Sequence, residues 1–381
     1  MKNNFTLTFF SNFLLHHQTP FCEAMVRLLG DNFKFVATER IPQKRLDMGY
    51  RDLSNSADYA VNSYENEESY QKALKLGENS DVVIIGSAPD VFIKERLKQN
   101  KLTFRYYERF FKEGRWRILD PRVLKAHYQQ DFKYRKKNLY MLCASAYTAP
   151  DCRFIFSYPN KTYKWGYFPP VKKYDDIEEI LTLKRPASIL WTARFITLKH
   201  PEAPLYVAKL LKDEGYNFTL NIIGSGELEQ KIKGNIAKNG LDDCVKLLGT
   251  MSPEKVREHM EQSEVFLFTS DKNEGWGAVI NESMNSACAV VASRAIGSVP
   301  YLIKDGENGL IYKDGNLKDL YNKVKYILDN KEERRKLGIN AYKTLTDTWN
   351  ADVAAERLIT LIKNIKEGKD TPFKNGPCSK G

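Results

Sequence analysis

EVFLFTS (264–270), DKNEGWGAVINES (271–283) and MNSACAVVASR (284–294) follow one another without a break. Glu264–Ser270 is a short apolar run rich in Val and Phe, the composition of a strand buried on both faces. Gly275, Trp276 and Gly277 form a turn, a helix is expected from about Ala278, and Ala289–Ser293 reads as a second buried strand. The pattern is strand, glycine turn, helix, strand. One carboxylate (Glu274) lies in the turn and another (Glu282) in the second helical turn.

This layout has chemical consequences. The first N–H groups of a helix lack intrahelical partners, and the dipole favours anions there. Gly275 and Gly277 let the backbone approach a ligand with no Cβ in the way. Side chains lean toward the helix N-terminus, so Glu282 is expected to project toward the space that Glu274 borders. Carboxylates repel phosphate but accept well from hydroxyls. A ligand carrying both phosphate and polyol groups satisfies both facts. The competing reading is a surface Glu and a helix Glu that meet nothing, and spacing alone does not separate the two.

Outward from this stretch, the 381 residues suggest two domains at about 100–200 residues each, and 42% hydrophobic content is enough for two cores. Six cysteines without a C-x-x-C pair read as free thiols in a reducing compartment, with no zinc site. The N-terminus MKNNFTLTFFSNFLL reads as a first strand, not a signal peptide, and no apolar run has membrane-spanning length. The net charge of +11 is uneven: residues 101–140 hold twelve Lys or Arg against four Asp or Glu, with aromatics interleaved. An anionic membrane surface is the expected partner for this stretch, against the simpler reading of a solvated basic helix face. No nucleic-acid motif accompanies it, so no nucleic-acid partner is expected.

Strands and helices alternate along the whole chain, which implies parallel sheets covered on both faces. In the first half, strands are expected at Phe5–Phe10, Phe33–Ala37, Asp81–Ile85 and Leu102–Tyr107. Arg40–Asn55 reads as irregular and Val123–Ser145 as one long amphipathic helix. The alternation breaks near Asn160–Asp176, where a linker is expected. It restarts with strands at Ser188–Thr192, Phe218–Ile223 and Val245–Leu248, then the opening stretch, and a last helix over Ala351–Ile365. The polar tail reads as disordered.

Ligands of open parallel sheets sit outside the carboxyl ends of the strands. Four strand ends of the second half therefore converge: Arg194, Gly224–Gly226, Gly249–Met251 and the Glu274 turn. Arg194 and Lys199 are two cations at one strand end, suited to a diphosphate or simply exposed. Gly224-Ser225-Gly226 fits a phosphate approach or an ordinary tight turn. Met251 could present main-chain groups to a base edge, or its segment could merely cap a helix. No Asp-x-Asp occurs in the chain, so no catalytic metal is expected.

Arg194…Lys199, Gly224-x-Gly226, Leu248-Gly249 before Ser252-Pro253, Glu274 with Glu282 and Asp305-Gly306-x-Asn308-Gly309 occur in this order. The set resembles the family 4 retaining glycosyltransferases of GT-B fold, strongly over Ser188–Trp349 and weakly before it. The resemblance implies an α/β fold of two doubly wound Rossmann-like domains facing a cleft. Residues 1–168 would bind the acceptor, 169–186 would link, and 187–348 would bind a UDP- or GDP-sugar. A helix at 349–366 would cross back to the first domain, ahead of a disordered tail at 367–381.

It further implies that Glu282 takes ribose hydroxyls, that Glu274 borders the donor sugar, and that the backbone of Gly275, Trp276 and Gly277 lies near sugar and phosphate. Arg194 and Lys199 would neutralise the leaving diphosphate without a metal. The acceptor would be a saccharide or lipid-linked saccharide, on the cytoplasmic face of a membrane. Two departures fall in the first half. The loop after the first strand is LLHHQTP, placing His16 and His17 where relatives carry glycines, and FRYYERFF places Glu108 where many carry His. His16 and His17 are acceptor-site groups or loop histidines; Glu108 orients an acceptor hydroxyl or pairs with Arg109. A nucleotide-sugar epimerase on the same fold and a non-catalytic carbohydrate- or membrane-binding module are the alternatives.

Overall fold

The structure is a computed structural model that describes residues 5–47 and 51–381. Residues 1–4 at the start of the chain, and 48–50 within the Arg40–Asn55 stretch, lie outside the described residues. The chain forms two compact units, Met1–Pro170 with Asn350–Gly381, and Val171–Trp349.

The first unit holds β1 (Leu7–Ser11), β2 (Phe33–Ala37), β3 (Ala60–Asn62), β4 (Val82–Ile85), β5 (Thr103–Tyr107), β6 (Leu139–Cys143) and β7 (Thr162–Lys164). They form one sheet in the order β3-β2-β1-β4-β5-β6-β7, and its registered pairings are parallel. Every residue of β1 and β4 is buried, which is why β4 reads as an apolar run without alternation. Helix Ala351–Lys366 belongs to this unit and packs on helix Thr19–Leu29, where Arg27 pairs with Asp352.

The second unit holds β8 (Arg185–Thr192), β9 (Thr219–Ile223), β10 (Val245–Leu247), β11 (Ser263–Phe268), β12 (Ala289–Ser293) and β13 (Leu310–Tyr312). Their order is β10-β9-β8-β11-β12-β13. In both sheets the first strand sits beside the fourth, the point where strand order reverses and where doubly wound sheets open a crevice. Each unit is Rossmann-like.

Three expectations are corrected. Val123–Ser145 is not one helix: Pro121–Gln130 is helical, Phe132–Tyr134 is a short 3-10 turn, and Leu139–Cys143 is strand β6. The apparent helical period fails because Leu139, Met141, Leu142 and Cys143 are buried between neighbouring strands. Tertiary pairing overrides local pattern there.

Residues 169–186 do not behave as a free linker beyond Pro170. Helix Ile177–Thr182 is capped by Asp176, whose side chain accepts from the Glu178 N–H at 2.9 Å. Lys184 Nζ then donates to the carbonyls of Met260, Ser263 and Ser286 at 3.1, 2.7 and 2.6 Å, tying the segment into the second unit. Nor is the tail loose. Lys164 N–H donates to Ser379 O at 2.7 Å, Cys378 N–H to Lys164 O at 2.8 Å and Gly381 N–H to Thr162 O at 3.0 Å, so the tail pairs along the edge strand β7. The buried Cys378 supplies an apolar anchor that the polar composition hides.

Candidate active site

The site is built at the carboxyl ends of β8 and β11. These strands pair in parallel, Ile189 with Val265 and Leu190 with Phe266, so the loops that leave them start side by side. The loop after β8 ends in a 3-10 turn, Thr197–Lys199, which is pinned from below: Thr269 Oγ1 donates to Lys199 O at 2.7 Å and Asp271 N–H to Leu198 O at 3.0 Å. The turn after β11 closes when Asn273 N–H donates to Asp271 Oδ1 at 2.8 Å and Glu274 N–H to Asp271 O at 3.1 Å.

These two turns bring Lys199 and Glu274 together as a half-buried ion pair, each side chain about 14% exposed. Ser270 Oγ donates to the same Glu274 oxygen at 3.0 Å. Arg194, at the end of β8, is exposed. Among the described residues its guanidinium is in no ion pair or hydrogen bond, which leaves a fork-shaped donor open to an anion.

The Gly224–Gly226 turn follows β9 and packs on the segment after β8. Gly224 has φ of +132°, and a Cβ there would lie 2.0 Å from Ala193 O. Phe195 N–H donates to Ser225 O at 2.8 Å and Gly224 N–H to Gly249 O at 2.8 Å. The glycine requirement at 224 therefore comes from the backbone beside it, with or without a ligand. Gly224→Ala is expected to destabilise the protein by about 1–3 kcal/mol through strain and overpacking; an unchanged melting temperature would contradict this reading.

Gly277 also adopts positive φ, +73°, and a Cβ would approach Phe268 Cζ to 2.3 Å. Trp276 is fully buried: its indole Nε1 donates to Asn281 Oδ1 at 2.9 Å and its carbonyl accepts from Ser298 Oγ at 2.5 Å. The Trp276 side chain is thus a core element, and only the backbone of this turn can meet a ligand. The helix that follows, Val279–Asn285, has seven residues, so its dipole is shorter than the pattern suggested.

Glu282 sits on that helix with no hydrogen-bond partner for its carboxyl among the described residues. Burial lifts its pKa to about 7, with Arg257 pulling the other way. Arg257 is itself held by Glu261 and by Asn285 Oδ1 at 2.6 Å. Among the described residues no hydrogen bond or ion pair joins Glu282 to the Lys199–Glu274 pair. Met251 lies next to Ser252, which caps helix Pro253–Gln262 by accepting from Lys255 N–H at 3.4 Å; Met251 itself makes no side-chain hydrogen bond among the described residues.

In the first unit the structure gathers the remaining candidates. The His17 ring stacks on Tyr167 at 4.7 Å between centroids and meets His16 edge-on at 5.4 Å. Tyr167 OH donates to Glu108 Oε1 at 2.6 Å, and Lys112 holds the other oxygen of Glu108 at 2.6 Å. The Glu108–Arg109 pair anticipated from sequence is not made; Arg109 instead faces the buried Asp151 at 3.9 Å. Burial pushes the His17 pKa down to about 3, aided by His16 and Arg45, so His17 is neutral and offers no positive charge to a phosphate.

Residues 173–344 match the family model for glycosyl transferases group 1. The stretch therefore covers β8 to β13 and every candidate residue of the second unit. An uncharacterized glycosyltransferase of Methanocaldococcus jannaschii, MJ1178, is 36% identical over 130 residues, 34% of this chain and 36% of that protein. The amylovoran biosynthesis glycosyltransferase AmsK of Erwinia amylovora is 32% identical over 143 residues, 36% of this chain and 35% of that protein. The chain thus spans about a third of the length of these curated relatives. The Anabaena protein HepE, solved in complex with UDP, superposes with a TM-score of 0.69 at 13% identity, over 94% of this chain and 99% of that one. That likeness extends through both units, and the fold is GT-B.

Sequence reasoning passes over two groups that shape the site, Ser270 and Thr269, and reads a third, His200, as structural or exposed. Ser270 holds Glu274. Thr269, itself bonded by Trp191 Nε1 at 2.8 Å, fixes the Lys199 carbonyl. His200 bridges Glu202 at 2.9 Å and Asp271 at 3.3 Å, and these carboxylates, Glu202 first, raise its pKa. A small polar residue directly after an apolar strand was the available signal. Among the described residues, no cluster of three His, Cys, Asp or Glu side chains is placed to hold a metal.

Proposed function

We propose that this protein is a retaining glycosyltransferase. It moves a hexosyl unit from a UDP- or GDP-sugar to a saccharide or lipid-linked saccharide, in cell-surface polysaccharide or glycolipid assembly at the cytoplasmic face of a membrane. The observation that carries the reading is the Lys199–Glu274 pair at the strand-reversal point, with the exposed Arg194 on the same segment after β8. The match to glycosyl transferases group 1 over the same stretch supports it, as does the amylovoran-biosynthesis name of one relative.

Breaking a glycosyl–phosphate bond leaves the electron pair on the phosphate oxygen and builds positive charge on the anomeric carbon. Cations fixed beforehand at the leaving oxygen stabilise that charge without reorganising. Arg194 and Lys199 fill this role with no metal. Glu274, already a hydrogen-bond acceptor for Lys199 and Ser270, is the acceptor for donor-sugar hydroxyls, and Glu282 for ribose hydroxyls.

A panel of nucleotide sugars tests the reading. Slow hydrolysis of one donor to nucleoside diphosphate supports a transferase. Isomerised donor would point to an epimerase, and an untouched panel to a binding module. Arg194→Ala is expected to lower kcat by about 10²-fold while donor affinity changes far less, because charge on the leaving oxygen peaks in the transition state. Equal losses in kcat and in calorimetric affinity would make Arg194 a ground-state binding residue.

A further inference from the structure

In the first unit, two consecutive helical elements contribute little to the core; their inward contact is the His127 ring, which packs on Phe110 and Phe111. The 3-10 turn Arg115–Leu119 and helix Pro121–Gln130 contain no buried residue. A helix normally exists because it hides an apolar face. Here the apolar side chains point to solvent: Leu119 is 80% exposed, Trp116 61% and Leu124 54%, with Tyr128 exposed one turn beyond Leu124. Scattered exposed hydrophobics need no explanation, but four large ones along 13 residues of consecutive helical structure do.

The elements are firmly rooted. Asp120 caps the helix, its side chain accepting from Arg122 N–H at 2.9 Å. Arg115 lies 3.5 Å from the buried Asp151 and stacks over Phe154 at 5.0 Å. At the far end, Tyr128 stacks on Phe132, which Arg135 covers at 3.8 Å. So the apolar residues sit on a fixed mount.

Charge distinguishes what this mount meets. Several arginines are already satisfied: Arg117 by Glu113 and Arg122 by Asp120. Lys125, Lys133 and Lys136 are exposed and form no ion pair among the described residues. They supply three of the eight excess positive charges of the 101–140 stretch. We infer that residues 115–136 form an interfacial docking element, in which Trp116, Leu119 and Leu124 enter the headgroup boundary of an anionic bilayer while Lys125, Lys133 and Lys136 meet its phosphates. Trp and Leu among lysines is the composition of an interfacial anchor, and each unpaired lysine adds attraction to anionic lipid. Leu119 and Leu124 have no π-face to offer a nucleic-acid base. No helix among the described residues is long and apolar enough to cross a membrane, so this contact is a surface one. The inference does not rest on which reaction the second unit performs.

Co-sedimentation of the full chain with vesicles of phosphatidylglycerol and phosphatidylcholine tests it, against vesicles of phosphatidylcholine alone. Binding is expected only to the anionic vesicles and is expected to weaken as salt rises. Trp116→Ser with Leu119→Ser should lower the partition coefficient about tenfold or more, as should Lys125→Glu with Lys133→Glu. All of these are surface positions, so folding is retained. The other tryptophans are buried, so a blue shift of fluorescence on vesicle addition reports Trp116 and should vanish in Trp116→Phe. Absence of binding, equal binding to neutral vesicles, or unchanged binding in both double variants would overturn the assignment. A dimer in sedimentation velocity that the apolar double variant abolishes would also overturn it, in favour of a protein contact.

Discussion

Lys199→Ala is expected to slow glycosyl transfer by about 10²–10³-fold, the cost of removing one fixed charge from a developing oxyanion. The effect is large because Lys199 is positioned before any donor arrives. Its carbonyl is held by Thr269 and its ammonium by Glu274. The substitution also leaves Glu274 half-buried with Ser270 Oγ as its remaining hydrogen-bond partner. Breaking a buried pair from one side costs about 3–5 kcal/mol, and partial exposure here places the loss near the lower end. Lys199→Ala is therefore expected to lower the melting temperature as well. Adding Glu274→Gln should recover stability but not turnover, since the lone carboxylate is gone and the cation still missing. Single-turnover kinetics and thermal unfolding of the single and double variants check this. Turnover within twofold of the parent in Lys199→Ala would remove Lys199 from the reaction.

Glu282→Gln carries the second large effect, and its two readouts move in opposite directions. Folding raises the Glu282 pKa from its ordinary 4.5 to about 7. Between those values the folded protein holds a proton that the unfolded chain has released, so stability falls as pH rises through that window. Above pH 7 the full cost is present, on the order of 1–3 kcal/mol. Glutamine has the same shape and no charge. Denaturant unfolding should show Glu282→Gln more stable than the parent at pH 8, with the gain shrinking toward pH 4.5. Donor affinity should fall about 10–100-fold, because hydrogen bonds from hydroxyls to a carboxylate are stronger than to an amide. A residue that destabilises the free protein and strengthens binding is the mark of a functional site. Equal stability of the two proteins at pH 8 would show that the carboxyl is not desolvated, and equal affinity in calorimetry would place it outside the donor site.

Much of the second unit was legible because its strands are buried on both faces. Runs such as Val265–Phe268 and Ala289–Ala292 are continuous apolar segments closed by Thr269 and Ser293, and few other structures fit them. The same signal misled in the first unit. Leu139–Cys143 follows a true helix after a short polar break, and the 3.6-residue period was carried through it. The tail misled in the opposite way: its polar, Pro- and Gly-containing composition gives no hint that Cys378 is buried or that the chain pairs with β7. Edge pairing depends on main-chain groups, which composition does not record.

Among the site residues, spacing placed Arg194, Lys199, Glu274 and Glu282 at ends of strands or on the helix after one, since element boundaries are local properties. It could not decide partners. That Lys199 faces Glu274, that Glu108 turns to Tyr167 and Lys112 instead of its neighbour Arg109, and that the Trp276 indole goes inward are outcomes of packing.

Alternating apolar runs and glycine turns were enough, by themselves, to set two parallel-sheet halves and the segments that could carry chemistry, because each sheet needs strands that are apolar throughout. Which charges meet, which carboxyl stays unpaired, and which helix is left with its apolar side chains in water were decided only when those segments packed. Charge pairing and burial depend on distances between residues far apart in the chain, and no local pattern encodes them.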